Sequence, residues 1–79
     1  MTGPLRITYD PDVDAAYIYL TDEHLPPGRD SVSVETPEGT QAYIVLDWKD
    51  GKTVGLEVLD AASLLHSDLL AQAIRPDRR

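Results

Sequence analysis

An α+β fold is what this sequence predicts: a small antiparallel β-sheet of about five strands, built as a meander with hairpins, packed against a short C-terminal helical segment. Three observations carry the expectation. Period-2 alternation of apolar and polar residues recurs along most of the chain. Clusters rich in Pro, Gly and Asp separate the alternating runs. The hydrophobic period lengthens only after residue 60, where LDAASLLHSDLLAQAIRP reads as helical.

The elements follow in order. Residues 5–9, LRITY, alternate as a half-buried strand. After the acidic stretch DPDVD, the run AAYIYL is rich in β-formers and continues the strand signal to Leu20. TDEHLPPGRD, with two prolines and a glycine, is loop. SVSVE is a short strand closed by TPEG, with Pro37 at the second position of a turn and Gly39 at its end. Next comes the strongest hairpin signal, QAYIVLDW-KDG-KTVGLEVLD. A three-residue loop, Lys49-Asp50-Gly51, with Gly51 left-handed in a G1 bulge, is preferred over a two-residue Asp50-Gly51 loop. It pairs Leu46 with Val54, Ile44 with Leu56 and Ala42 with Val58, a clean apolar face that the two-residue register would lose. The other face then sets Tyr43 across from Glu57, Val45 across from Gly55 and Asp47 across from Thr53. Beyond it, Asp60 is placed to cap a first turn through Leu65, and Ser67 to cap a helix from about Asp68 to Ile74. Arg75 suits the helix C-terminus, and Pro76 ends the run.

Seventy-nine residues make one domain, with its core over about residues 5–74 and a basic tail at 75–79. A chain of this size buries only roughly 60–65% of its unfolded surface, which leaves no room for a deep enclosed site. The absence of cysteine removes disulfides, thiol nucleophiles and zinc–thiolate sites. Fourteen acidic against seven basic residues give a net charge of −7. That charge disfavours direct binding to nucleic acid or anionic lipid and favours a basic protein partner. No signal-peptide pattern and no long apolar run are present, so the expected setting is cytoplasmic. The helical segment covers one sheet face; covering the tyrosines and valines on the other would take either a curled sheet or a second subunit, and a homodimer is expected.

Two blocks, ITYDPDVDAAYIYL and IVLDWKDGKTVGLEVLDAAS, resemble the small bacterial family known as domain of unknown function 2283. The matching positions are Tyr9, Asp10, Asp14, Tyr17, Ile18, Leu20, Asp47, Gly51, Gly55 and Glu57; Tyr19 departs from the more usual polar residue. The resemblance implies a β-rich domain closed by helix, and it implies no catalytic residues.

Asp10, Asp12 and Asp14 are spaced like the start of a calcium loop, but Ala15 stands where the required glycine belongs and Thr21 where the bidentate glutamate belongs. The three aspartates therefore read first as turn residues bonding to backbone amides and only weakly as metal ligands. Asp47 and Glu57 on one sheet face could serve as acid and base, yet cross-strand hydrogen bonding accounts for them equally well. With Tyr17, Tyr19 and Tyr43 they make a polar-aromatic patch suited to protein recognition. His24 and His66 lie in no metal or catalytic pattern, the serines lack a nucleophile-elbow context, and the glycines form no phosphate loop, Gly51 and Gly55 reading as bulge and close-approach positions. No catalytic residue and no cofactor are assigned. The favoured reading is a non-enzymatic, acidic interaction module, antitoxin-like in one version. The alternative is a small-ligand or divalent-metal domain, conceivably an enzyme, with its carboxylates at a dimer seam.

Overall fold

A computed structural model describes residues 6–21, 25 and 27–75 of the chain. Expectations for Leu5, for positions 22–24 and 26 (His24 among them) and for Pro76, Arg78 and Arg79 lie outside the described residues. Five antiparallel strands form one sheet: β1 (Arg6–Asp10), β2 (Ala15–Tyr19), β3 (Asp30–Val34), β4 (Tyr43–Lys49) and β5 (Lys52–Leu59). Their spatial order is β1-β2-β5-β4-β3, so β2 and β5, far apart in sequence, are neighbours at the centre. A single 3₁₀ turn, Ala61–Ser63, and a short helix, α1 (Ser67–Gln72), follow. The expected α+β class is what the chain adopts.

Alternation sorts the side chains as the period-2 pattern requires. The registers put Ile7, Ile18, Leu56, Leu46 and Val32 in one row, and Tyr9, Ala16, Val58, Ile44 and Val34 in the next, all on one face. The C-terminal segment lies on part of this face. Tyr9, Ala16, Val58, Ala61 and Ala73 are buried together, with Ile7, Leu56, Leu64, Leu65 and Leu70 packed around them. These residues come from β1, β2, β5 and the C-terminal segment; β3 and β4 contribute none. Val58 is fully buried at the centre, a burial that stabilises by about 1.5–3 kcal/mol.

The β4–β5 hairpin departs from the expected register. Its loop is the two-residue Asp50-Gly51 turn, with φ of 52° and 79° respectively, closing directly onto the Lys49–Lys52 pair. Left-handed backbone at both residues is the type I′ pattern, whose twist matches that of the strands. A simple continuation of that loop would set Leu46 against Gly55. Instead the register shifts between Trp48 and Asp47, so that Trp48 faces Thr53 while Asp47 faces Gly55. Val54 is the extra residue of a bulge, and its carbonyl accepts the Leu20 N–H at 3.1 Å. The apolar rows are recovered as Leu46–Leu56 and Ile44–Val58. The expected faces are therefore kept and the expected pairs are not: Tyr43 faces Leu59, Val45 faces Glu57, and Asp47 faces Gly55.

The caps also differ. Asp60 stands before the 3₁₀ turn in left-handed backbone, and its side chain caps nothing. Asp14 performs that function from a distance: its carbonyl accepts Ala61 N–H at 3.0 Å and its Oδ1 accepts Ala62 N–H at 2.9 Å. Ser67 is the first helical residue rather than a cap; His66, exposed and extended, precedes it without a side-chain bond. The helix stops at Gln72 because Ile74 takes up strand geometry beside β1, bridging Thr8. Its N–H donates to Ile7 O at 2.8 Å and its carbonyl accepts Tyr9 N–H at 3.0 Å. Arg75 does meet the helix end, donating to Leu70 O at 3.0 Å. The turn after β3 runs one residue later than expected, Thr40 N–H bonding Pro37 O with Gly39 at φ 90°. No helix among the described residues is long and apolar enough to cross a membrane.

Candidate functional site

The face opposite the C-terminal segment carries every residue of the expected polar-aromatic patch. One row across the sheet is Arg6, Tyr19, Gly55, Asp47 and Ser31; the next is Thr8, Tyr17, Glu57, Val45 and Ser33; the third is Asp10, Ala15, Leu59 and Tyr43. Tyr17, Tyr19, Tyr43, Asp47 and Glu57 thus share one face, as alternation predicts.

Asp47 is the organising group. It is 4% exposed although it lies on the side away from the C-terminal segment. Tyr17 on β2 lies diagonally across β5 and donates its hydroxyl to Asp47 Oδ2 at 2.7 Å. Ser31 on β3 donates to Oδ1 at 2.6 Å, and Arg29 brings Nε to 3.5 Å from Oδ2. A buried carboxylate needs this density of donors, because each unsatisfied lone pair would carry a desolvation cost. Burial alone would raise the Asp47 carboxyl; the bonds from Ser31 and Tyr17 and the Arg29 charge outweigh it and hold the group below the usual carboxylate range. Burial, then the bond to Asp47, pushes the Tyr17 phenol well above its ordinary value. Both shifts carry the groups away from neutrality, whereas an acid–base pair working near neutral pH has its pKa values brought toward it.

Gly55 makes the crossing possible. A Cβ at this position would lie 2.6 Å from Tyr17 Cε2 and still closer to Cζ and Oη. Only a bare backbone lets the phenol lie flat enough to reach Asp47. The aromatic row continues outward: Tyr17 and Tyr19 meet edge to face at 4.8 Å, and Arg6 sits 3.9 Å over the Tyr19 ring. Glu57 is half-buried beside Tyr17 and opposite Val45, not opposite Tyr43, and Tyr43 is 70% exposed.

The aspartate turn forms a second, separate constellation. Asp10 Oδ1 accepts Asp12 N–H at 3.0 Å, an Asx turn. Asp14, left-handed at φ 54°, accepts the Tyr9 hydroxyl at 2.8 Å as well as Ala62 N–H. Those two bonds hold its carboxyl below the ordinary range, and the bond to Asp14, with burial, raises Tyr9. Among the described residues no group of three or more acidic or histidine side chains is placed to hold a metal. Asp10 and Asp14 are not brought together with Asp47 and Glu57 into one such set. The recess lined by Pro37, Gly39, Thr40, Gln41, Ser63 and Leu64 has no ionisable side chain in its lining and includes none of these carboxylates.

Two partners escaped sequence reasoning. Ser31 and Arg29 reach Asp47 only because β3 pairs with β4, and their sole sequence signal is the alternation that puts Ser31 on the Asp47 face. The close-approach reading of Gly55 was legible; the bulge reading of Gly51 is corrected to a turn position. A family model described as "Protein of unknown function (DUF2283)" matches residues 6–61. No curated protein and no solved structure matches the chain.

Proposed function

From the premise that the chain belongs to the DUF2283 family, whose description assigns no chemistry, we propose that it is a non-enzymatic protein-interaction module that reads its partner with the tyrosine face. One observation carries the reading: the polar atoms at the centre of that face are bonded to each other, while aromatic and aliphatic area is left facing out. Asp47 is bonded by Tyr17, Ser31 and Arg29, while Tyr43 and Leu59, two rows along the same face, stand 70% and 38% exposed. Rigid tyrosines supply contact area at little entropic cost, and a pre-bonded centre needs no reorganisation on binding.

The partner this surface favours is a basic protein. Asp10 and Glu57 flank the exposed Leu59–Tyr43 pair, and the whole chain carries −7. Complementary charge steers association and sets register. A small cationic toxin, held by this chain acting as an antitoxin, is the narrowest form of the proposal. The test is co-purification of the tagged full chain with the basic product of a neighbouring gene, at low and moderate salt. Retention by the native chain and its loss in Tyr43→Ala and Glu57→Lys, with unchanged circular dichroism, supports the reading. Retention of no basic neighbour, or equal retention by both variants, overturns it.

A further inference from the structure

We infer that β3 pairs with β3 of a second copy, antiparallel about a two-fold axis through Val32, to make one continuous ten-stranded sheet. The two edges of the sheet differ. The β1 edge is partly occupied by Ile74, whose N–H and carbonyl bond Ile7 and Tyr9. Among the described residues no strand or bridge pairs with the outer edge of β3, and all five of its residues are exposed. An edge strand is ordinarily protected by Pro, by charge (Lys above all), by a bulge or by a covering element. Asp30–Val34 (DSVSV) has no Pro and no Lys, its one charge, Asp30, stands at its end, and its pairing to β4 is regular throughout.

The apolar face supports the same occupant. The C-terminal segment packs on β1, β2 and β5 and leaves the β3–β4 end bare. Val32 is 53% exposed, Val34 38% and Trp48 36%, with Ile44 and Leu46 half-buried between them. A two-fold normal to the sheet lays this patch side by side with its own copy on one continuous face, Val32 meeting Val32 at the seam, the self-complementarity an isologous interface requires. Centring on Val32 places Val32 against Val32, Ser31 against Ser33, and Arg29 against Glu35 of the second copy. The ends are therefore of opposite charge, and Arg29 can meet Glu35 while still holding Asp47. A chain whose described core holds one fully buried large side chain, Val58, is also of the size that commonly gains stability by association.

This inference concerns an edge, not the tyrosine face, so it stands or falls separately from the partner-binding reading. Light scattering on the full chain from low micromolar concentration upward is expected to give a mass twice 8.7 kDa. Val32→Lys sets like charges on the axis and weakens the dimer by more than about tenfold, with unchanged far-ultraviolet circular dichroism. Register is read with single cysteines in this cysteine-free chain. Residues on the axis lie about 4.5–5.5 Å apart between Cα atoms, within disulfide reach. Val32→Cys is therefore expected to cross-link on mild oxidation, and Val34→Cys, opposite Asp30, to lag far behind. If Val32→Lys unfolds the chain, the cysteine pair decides alone. A native mass of 8.7 kDa throughout, a dimer indifferent to Val32→Lys, or equal cross-linking of both cysteine variants overturns the inference.

Discussion

Replacing Gly55 by alanine adds one methyl group at the crossing of Tyr17 over β5, and its cost follows from the geometry there. The backbone is not the obstacle, since Gly55 is not among the residues with positive φ. The obstacle is Tyr17, with Cε2 2.6 Å from where the methyl carbon would stand and Oη and Cζ nearer still. The ring must swing away, which breaks its 2.7 Å bond to Asp47. A hydrogen bond to a charged acceptor contributes about 1.5–3 kcal/mol, and overpacking adds about 1–3 kcal/mol where the neighbour cannot yield. Reduced freedom of the unfolded chain returns about 0.4–1 kcal/mol. A net loss of about 2–4 kcal/mol is expected, a large part of the roughly 4–12 kcal/mol available to a chain of this length. Urea unfolding at one fixed protein concentration, followed by Trp48 fluorescence and circular dichroism, measures it. The decisive arm is the double variant: with Tyr17→Ala the space is empty, and Gly55→Ala should then cost nothing or stabilise slightly. A loss below about 0.5 kcal/mol in the native background, or an equal loss in both backgrounds, would refute the crossing as the reason for this glycine.

Gly51→Ala should behave differently, because nothing lies near its Cβ position and the difficulty is the φ of 79°. A loss of about 1–2 kcal/mol, unaltered by Tyr17→Ala, is expected in the same urea assay. Asp47→Asn should destabilise by about 1–3 kcal/mol at neutral pH and flatten the acid limb of stability. The sign follows from its lowered pKa: the unfolded carboxylate takes up protons near pH 3.9, at about the unperturbed value, before the folded one does. Its stabilisation is present above that pH and lost as pH falls through the folded value. The raised Tyr17 works at the other end. Its contribution is present below about pH 10 and fades above it, so Tyr17→Phe should reduce the alkaline loss in a pH series of thermal melts. Asp14→Ala should speed amide exchange at Ala62, whose N–H it accepts, far more than at fully buried Val58. Equal acceleration at both would point to global unfolding instead.

Six of the residues that carry the family resemblance fall into two places in the fold. Tyr9, Asp10 and Asp14 tie the β1–β2 turn to the start of the C-terminal segment, and Tyr17, Gly55 and Asp47 make the crossing. The first could be anticipated in part, because an Asx turn acts over two residues and Asp10 is its own signal. The second could not, because its hydrogen bond joins residues thirty apart through a strand order that no local pattern states.

Local alternation determined which side chains share a face, because side chains on a strand point to opposite sides by geometry that needs no partner. That is why Tyr17, Tyr19, Tyr43, Asp47 and Glu57 fall together as expected, and why the hairpin's faces survived a wrong register. Pairing is a different kind of fact. Moving the bulge from the turn to Val54 changes the cross-strand partners of Tyr43 to Asp47 by two residues while leaving each face unaltered, so the apolar pattern is satisfied either way. What chose between them was the fit of Asp50 and Gly51 to a type I′ turn, together with the packing of Tyr17 against Gly55 and Asp47. Those are energies between segments, and they exist only once β2, β5, β4 and β3 lie side by side.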